Sequence, residues 1–84
     1  MPELCRFYGL VIKMFYRQRE HNPPHFHVTY GDFVGVVDIG TLEMTEGDLP
    51  PRALDLVREW ATIHRDELLD VWENQTFRKI APLD

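Results

Sequence analysis

At 84 residues with 44% apolar residues, the chain is long enough for one packed domain but too short to form a deep active-site cleft. A formal net charge of −5 disfavours non-specific binding to DNA or RNA, because a phosphate backbone attracts proteins mainly through clustered Lys and Arg. One cysteine, no signal-peptide pattern and no apolar run of about 18–20 residues predict a single cytoplasmic domain over residues 1–84, with no disulfide and no membrane segment.

The first predicted element is a strand over residues 6–16, where aromatic and β-branched residues dominate. Side chains of a strand alternate between its two faces, and Lys13 marks one of them as the outer face. The inner face then holds Tyr8, Leu10, Ile12, Met14 and Tyr16. A charged connector, residues 17–20, follows the strand.

Residues 21–30 hold three of the four histidines around a Pro-Pro step. Proline fixes φ, lacks an amide donor and keeps the preceding residue extended, so Pro23 and Pro24 exclude a helix interior here. They lead into a predicted strand over residues 25–30. Alternation then separates an apolar face from a polar one: Phe26, Val28 and Tyr30 against His25, His27 and Thr29.

Gly31 and Asp32 separate this strand from the next one, predicted over residues 33–39. Glycine at the first central position suits a two-residue type II′ turn. Counting back from that turn sets the register of the hairpin. The predicted pairs are Tyr30 with Phe33, Thr29 with Val34, Val28 with Gly35, His27 with Val36, Phe26 with Val37 and His25 with Asp38.

A second tight turn is predicted at Gly40 and Thr41. It leads to a strand over residues 42–46 and places Glu43 opposite Asp38. Because short turns connect neighbouring strands, these segments predict an antiparallel meander of three or four strands.

One long amphipathic helix is predicted from about 51 to 74, with Asp48 or Leu49 near its cap and prolines in its first turn. Unbroken, it would be about 35 Å long. Its apolar arc holds Leu54, Val57, Trp60, Ala61, His64, Leu68, Val71 and Trp72. We interpret the two tryptophans as core anchors, and His64 as packed against the sheet with a backbone or tyrosine partner.

The last segment, residues 79–83, is predicted to be either a short strand or a tail docked on the core. The predicted fold is therefore α+β: a three- or four-stranded antiparallel meander packed on one long C-terminal amphipathic helix.

The chain resembles a bacterial family known as domain of unknown function 4160 over essentially its whole length. The resemblance lies in the central block at 21–31, His-Asn-Pro-Pro-His-Phe-His-Val-Thr-Tyr-Gly, and in five shorter matches. These are Phe7-Tyr8-Gly9, Gly47-Asp48-Leu49-Pro50, Trp60, Glu67-Leu68-Leu69 and Ile80-Ala81-Pro82-Leu83. Glu20 stands where the family pattern has an aspartate, a departure that leaves the histidine block intact.

The resemblance implies a small prokaryotic cytosolic protein and brings no established activity. Such proteins are often encoded beside a second small family, domain of unknown function 2442. This context implies a two-component module of the toxin–antitoxin type.

One chemical interpretation of the histidine block is a metal site. His25 and His27 share a strand face, Asp38 lies across the ladder, and His21 can fold back towards them. Imidazole and carboxylate groups are ligands for a divalent transition metal such as zinc, iron or manganese. The simpler interpretation is that these histidines stiffen the turn through backbone hydrogen bonds, or form a cross-strand His–Asp pair.

A catalytic interpretation uses His25 and His27 as general base and general acid in phosphodiester hydrolysis, with Asp38 favouring the charged form of the histidine that it pairs with. Tyr30, Arg17 and Arg19 would then bind the phosphate. The sequence identifies no nucleophile and no oxyanion hole, so an enzyme is the less favoured hypothesis and no cofactor is required.

The favoured hypothesis is a small interaction or regulatory protein that acts through a protein partner or as a homodimer. The polar side chains of the histidine face are not needed for folding, so that face is the predicted functional surface. A nucleic-acid groove binder is disfavoured, because Arg52, Arg58 and Arg65 are spread among acidic residues along the helix.

Overall fold

The computed structural model of this chain describes residues 3–14, 23–74 and 78–83. Five strands form one antiparallel sheet in sequence order, and two helices follow. The strands are β1 (Glu3–Phe7), β2 (Leu10–Lys13), β3 (His25–Tyr30), β4 (Phe33–Asp38) and β5 (Met44–Gly47); the helices are α1 (Pro51–Ile63) and α2 (Arg65–Asn74). The predicted α+β meander is confirmed, whereas the predicted strand number and the single long helix are wrong.

The predicted first strand over residues 6–16 is a hairpin instead. Tyr8 and Gly9 form its two-residue turn, with φ values of 49° and 82°. Two positive φ values are typical of a type I′ turn, in which Asn-Gly is the favoured pair. Tyrosine is common in strands, so the sequence does not indicate a turn at this position. Because of the turn, β1 forms a separate strand.

The predicted inner face of that segment is correct in β2 and wrong at the turn. Leu10, Ile12 and Met14 are fully buried as expected, but Tyr8 is 57% exposed. Tyr16 lies outside the described residues.

The β3–β4 hairpin has the predicted register at all six pairs, from Tyr30 opposite Phe33 to His25 opposite Asp38. Gly31 has a positive φ of 60° and Asp32 does not, as a type II′ turn requires. The alternation also holds, since Phe26 and Val28 are fully buried.

The connection from β4 to β5 is wider than the predicted turn at Gly40 and Thr41. The side chain of Asp38 accepts hydrogen bonds from both of those amides, at 2.6 and 3.0 Å, and so organises a longer loop. The backbone of Asp38 still pairs with Glu43 through a 2.9 Å hydrogen bond. β5 therefore begins at Met44 rather than at residue 42.

A bulge between Val36 and Val37 shifts the pairing along β5. Val37 lies opposite Met44, but Val36 lies opposite Glu46 rather than Thr45, the residue next to Met44. The extra residue turns the side chain of Glu46 towards the polar face of the sheet.

Helix α1 begins at the predicted residue, and its N-cap is Pro50, directly after Leu49, one of the two residues predicted to lie near the cap. The amide of Asp48 donates to Val34 O at 2.9 Å, so Asp48 still belongs to the edge of the sheet. Proline in the first helical turn loses nothing by lacking an amide, because that amide would have no partner within the helix.

The predicted long helix breaks at His64, whose φ is −106° and ψ is 19°. A straight helix over these residues would measure about 35 Å, whereas the longest dimension of the part of the chain that the structure describes is 31 Å. The break allows both helices to stay on the sheet: α1 buries Val57, Trp60 and Ala61, and α2 buries Leu68, Val71 and Trp72. The predicted apolar arc is thus correct on both sides of the bend.

The C-terminal segment is a docked tail, not a strand. Ile80 is buried, and its amide donates to Leu4 O at 2.8 Å. The indole N–H of Trp60 donates to Ala81 O at 2.8 Å. The tail, the helices and one face of the sheet thus enclose one hydrophobic core.

Candidate functional site

The polar face of the sheet carries the residues singled out by the sequence. We call it the open face and define it by the outward side chains of the three central strands. These are Val11, Lys13, His25, His27, Thr29, Val34, Val36 and Asp38. Each is partly or fully exposed, whereas the neighbouring residues Ile12, Phe26, Val28 and Val37 are fully buried beneath the helices.

The register arranges the open face into rows that run across the strands. Val11, Thr29 and Val34 form one row. The next row runs from Lys13 through His27 and Val36 to Glu46. Side chains directly opposite each other on one face are in contact distance. The first row is therefore β-branched throughout, and the second has Lys13 and Glu46 at its two ends.

His25 lies at the start of β3, where the Pro-Pro step ends. Its Nδ1 lies 2.9 Å from Pro23 O. A carbonyl oxygen only accepts hydrogen bonds, so this contact places a proton on Nδ1 and leaves Nε2 as the acceptor of the neutral ring. The ring packs between His27, at a centroid distance of 5.3 Å, and Trp72, at 5.0 Å.

Asp38 lies directly across the ladder from His25, as the turn predicts. Both residues line a groove of about 370 Å³ with Pro23, Val36, Thr45 and Glu46. One carboxylate oxygen of Asp38 is engaged by the loop amides, so part of this side chain serves the fold.

The pKa of His27 lies below its ordinary value, first because burial disfavours the charged ring and second because His25 repels a positive charge; Glu46 opposes both effects. The folded protein therefore favours the neutral imidazole. The unfolded chain takes up this proton near pH 6.5. Stability contributed by neutral His27 is complete above that pH and declines as the pH falls through the folded-state pKa.

We expect the free energy of unfolding to fall more steeply between pH 7 and pH 5 in the natural protein than in a His27→Gln variant, because glutamine does not titrate. Urea unfolding followed by tryptophan fluorescence at the two pH values measures both slopes. Effects of titrating groups that do not interact with His27 cancel in the comparison. Equal pH slopes in the two proteins would show that burial of His27 has no energetic consequence.

The structure brings the rings of His25 and His27 together, but it shows no complete set of metal ligands within residues 3–14, 23–74 and 78–83. No group of three or more His, Cys, Asp or Glu side chains there could hold a metal ion. Of the proposed ligands, His25, His27 and Asp38 lie on the open face. The fourth, His21, falls outside the described residues.

The proposed phosphate-binding residues do not join the histidines. Tyr30 lies on the core side of β3, as its alternation with Thr29 requires, and lines a different groove. Arg17 and Arg19 are outside the part of the chain that the structure describes.

His64 is also separate from the histidine pair. It packs on Trp60 at a centroid distance of 5.4 Å, within the helical layer. Its Nδ1 lies 2.8 Å from Glu67 Oε1, so its partner is a carboxylate rather than the predicted backbone or tyrosine.

Sequence analysis missed two contributors to the site. Glu46 faces the groove only because the bulge shifts β5, and a bulge leaves no clear mark in a single sequence. Trp72 reaches His25 because the helix bends at His64.

Comparison with known proteins places no activity on this surface. The family model described as Domain of unknown function (DUF4160) matches residues 9–73, which is most of the chain. No curated protein and no solved structure matches. Among the described residues, neither helix is long and apolar enough to cross a membrane.

Proposed function

The chain belongs to the family described as Domain of unknown function (DUF4160), and we propose that it is a small regulatory protein that binds a protein partner through its open face. A prokaryotic two-component module, of the kind implied by the sequence resemblance, would supply that partner. A homodimer formed through the same face is the simplest variant of this proposal.

The observation that carries the proposal is the group of β-branched side chains on the open face, opposite the face of the sheet that packs against Trp60 of α1. When one face of an antiparallel sheet meets water, that face is ordinarily polar. Here Val11 and Val34 lie on either side of Thr29, Val36 lies beside His27, and Val34 is 53% exposed. Apolar side chains that are grouped on an exposed face among polar ones are typical of protein interfaces.

The rim has the charge pattern that would orient a partner. Lys13 marks the β2 side of the open face, while Asp38 and Glu46 mark the β4–β5 side. Opposite charges at two sides of a binding face favour one docking orientation and disfavour its reverse. Binding would also bury His27 further, which favours the neutral ring, so we propose that partner binding weakens in acid.

We expect Val34→Lys to weaken partner binding by at least about 10-fold, because it places a charge among the exposed apolar side chains of the open face. The matched control is Ile63→Lys, since Ile63 is 63% exposed but lies on α1, in the helical layer. Light scattering after size exclusion, of the protein alone and mixed with the product of the neighbouring gene, detects both partner types. A strict monomer that ignores that product would contradict the proposal.

A second candidate function is phosphodiester hydrolysis or metal binding at the histidine pair. It is supported by the 5.3 Å separation of the rings of His25 and His27 and by Asp38, which lines the same groove as His25. Two neighbouring imidazoles, one with a lowered pKa, can divide the roles of general base and general acid.

This candidate is tested with mixed RNA and DNA at pH 5 to 8, with and without divalent ions. Cleavage that is lost in His25→Ala and His27→Ala variants would support it. Metal analysis of protein purified without chelator provides the second measurement. An absence of cleavage, with equal metal content in the natural protein and the double variant, would exclude it.

A further inference from the structure

A second groove, distinct from the open face, lies at the end of the sheet that carries the β1–β2 and β3–β4 turns. Its volume is about 490 Å³. Hairpin tyrosines form one wall and the first two turns and a half of α1 form the other. We call it the aromatic groove; its lining residues are Tyr8, Tyr30, Pro50, Arg52, Ala53, Leu56, Glu59 and Leu83.

Tyr8 lines this groove in an unfavourable backbone conformation. Its φ of 49° is left-handed, which is costly for a large residue that is not glycine. Burial of the ring does little to offset this cost, because the residue is 57% exposed; the ring makes an edge-to-face contact with Phe7 at a centroid distance of 6.0 Å. Strain that contributes so little to folding is typical of functional positions.

Tyr30 provides the second ring of the same wall. A Cβ atom added at Gly9 would lie 3.3 Å from Tyr30 Cε1, so the missing side chain of Gly9 leaves room for this ring against the turn. Two tyrosines therefore face one groove. Tyrosine offers a large rigid contact surface together with a hydroxyl donor, a combination common in peptide-binding surfaces.

The helical wall of the aromatic groove carries one charge of each sign. Arg52 and Glu59 are both exposed, and none of the ion pairs among the described residues involves either of them. Arg52 and Glu59 are seven positions apart, which corresponds to about 10 Å along a helix. Between them, Ala53 and Leu56 present an apolar stretch.

We propose that the aromatic groove binds an extended, proline-containing segment of a partner protein, with an acidic residue at Arg52 and a basic residue at Glu59. A polyproline II segment rises about 3.1 Å per residue with three residues per turn. Residues three positions apart are then about 9 Å apart and on the same side of the segment. This distance is close to the about 10 Å that separates Arg52 from Glu59 along α1. The carbonyls of such a segment are unpaired and can accept hydrogen bonds from tyrosine hydroxyls.

The test uses two fluorescein-labelled peptides, Ala-Glu-Pro-Pro-Arg-Ala and Ala-Arg-Pro-Pro-Arg-Ala, titrated with the full chain and followed by fluorescence anisotropy. The natural protein is expected to prefer the first peptide, whichever way round the peptide lies. Arg52→Glu makes both ends of the helical wall acidic and should reverse the preference. Arg58→Glu, on the exposed side of α1 outside the groove, is the matched charge control and should keep the original preference.

A second variant separates binding from folding. Tyr8→Asn gives the type I′ turn its favoured residue, so the melting temperature should stay the same or rise, while peptide affinity falls at least about 10-fold. Val34→Lys should leave peptide affinity unchanged, because it alters only the open face. These variants distinguish a failure of this inference from a failure of the proposed function.

Three outcomes would overturn the inference. The first is an absence of anisotropy change with either peptide at millimolar protein. The second is an unchanged preference in Arg52→Glu, or an unchanged affinity in Tyr8→Asn. The third is self-association of the natural protein that Tyr8→Asn abolishes, because a second copy would then occupy the groove.

Discussion

Gly47→Ala is expected to lower the free energy of unfolding by more than about 3 kcal/mol, a large part of the roughly 5–15 kcal/mol that stabilises an ordinary domain. Two effects combine at this position. Gly47 has a φ of +88°, which L side chains rarely adopt. A Cβ atom there would also collide with Val34 O and would lie 2.7 Å from Gly35 Cα. Backbone atoms of a paired strand cannot move aside as a flexible side chain can.

Gly31→Ala is the matched control, because it carries the backbone strain without the collision. Gly31 has a φ of +60°, and nothing lies within 4 Å of its added Cβ. It should cost about 1 kcal/mol. Urea unfolding of both variants, followed by tryptophan fluorescence, measures the difference. Equal losses in the two variants would show that β5 does not approach β4 as closely as described.

Trp60→Ala is expected to lower the free energy of unfolding by about 3–5 kcal/mol, as for other large core truncations. Trp60 is fully buried and joins three parts of the molecule. Its ring lies 5.8 Å from that of Phe7 and 6.0 Å from that of Phe26, and its N–H holds the tail at Ala81 O. Far-UV circular dichroism should follow the unfolding, since the substitution removes a fluorophore.

Trp60→Phe is an intermediate variant, since it keeps an aromatic ring but removes the indole donor to Ala81 O and part of the buried ring volume. A loss of about 1–3 kcal/mol is expected from the two effects together. Ile63→Ala, on an exposed position of the same helix, should change stability by no more than about 0.5 kcal/mol. A Trp60→Ala variant as stable as Ile63→Ala would contradict the assignment of Trp60 to the centre of the core.

The hairpin of β3 and β4 was predictable because its turn leaves little freedom. Glycine at the first turn position selects the turn type, and a two-residue turn then sets each cross-strand pair by counting. The same parity assigns Phe26 to the core and His27 to the open face. Local chemistry decides both results, so no information from distant parts of the chain is needed.

Elements that depend on distant contacts were not predictable in the same way. The turn at Tyr8 is built from a residue that favours strands, and the pairing of β1 with β2 holds it there. The helix bends at His64 because the sheet beneath it is short, and helical periodicity does not contain the size of the sheet. Sequence analysis therefore predicts the faces of these elements better than their ends.

The candidate site likewise contains residues that local geometry places and residues that tertiary structure places. Parity and turn geometry bring His25, His27 and Asp38 to one region. The additions from other elements, Glu46 through a bulge and Trp72 through the helix bend, follow from tertiary structure. The aromatic groove likewise combines two hairpins, a helix and the tail, which no single stretch of sequence indicates.

The most direct test of the proposed function is a methyl NMR titration of valine-labelled protein with the product of the neighbouring gene. Val11, Val34 and Val36 report on the open face, and the buried residues Val28 and Val37 on the same strands are internal controls. We predict that the first three methyl signals shift or broaden at stoichiometric partner while the control signals remain. Changes confined to the control valines or to Val57 and Val71 of the helices, or no changes at all, would contradict a partner-binding role for this face.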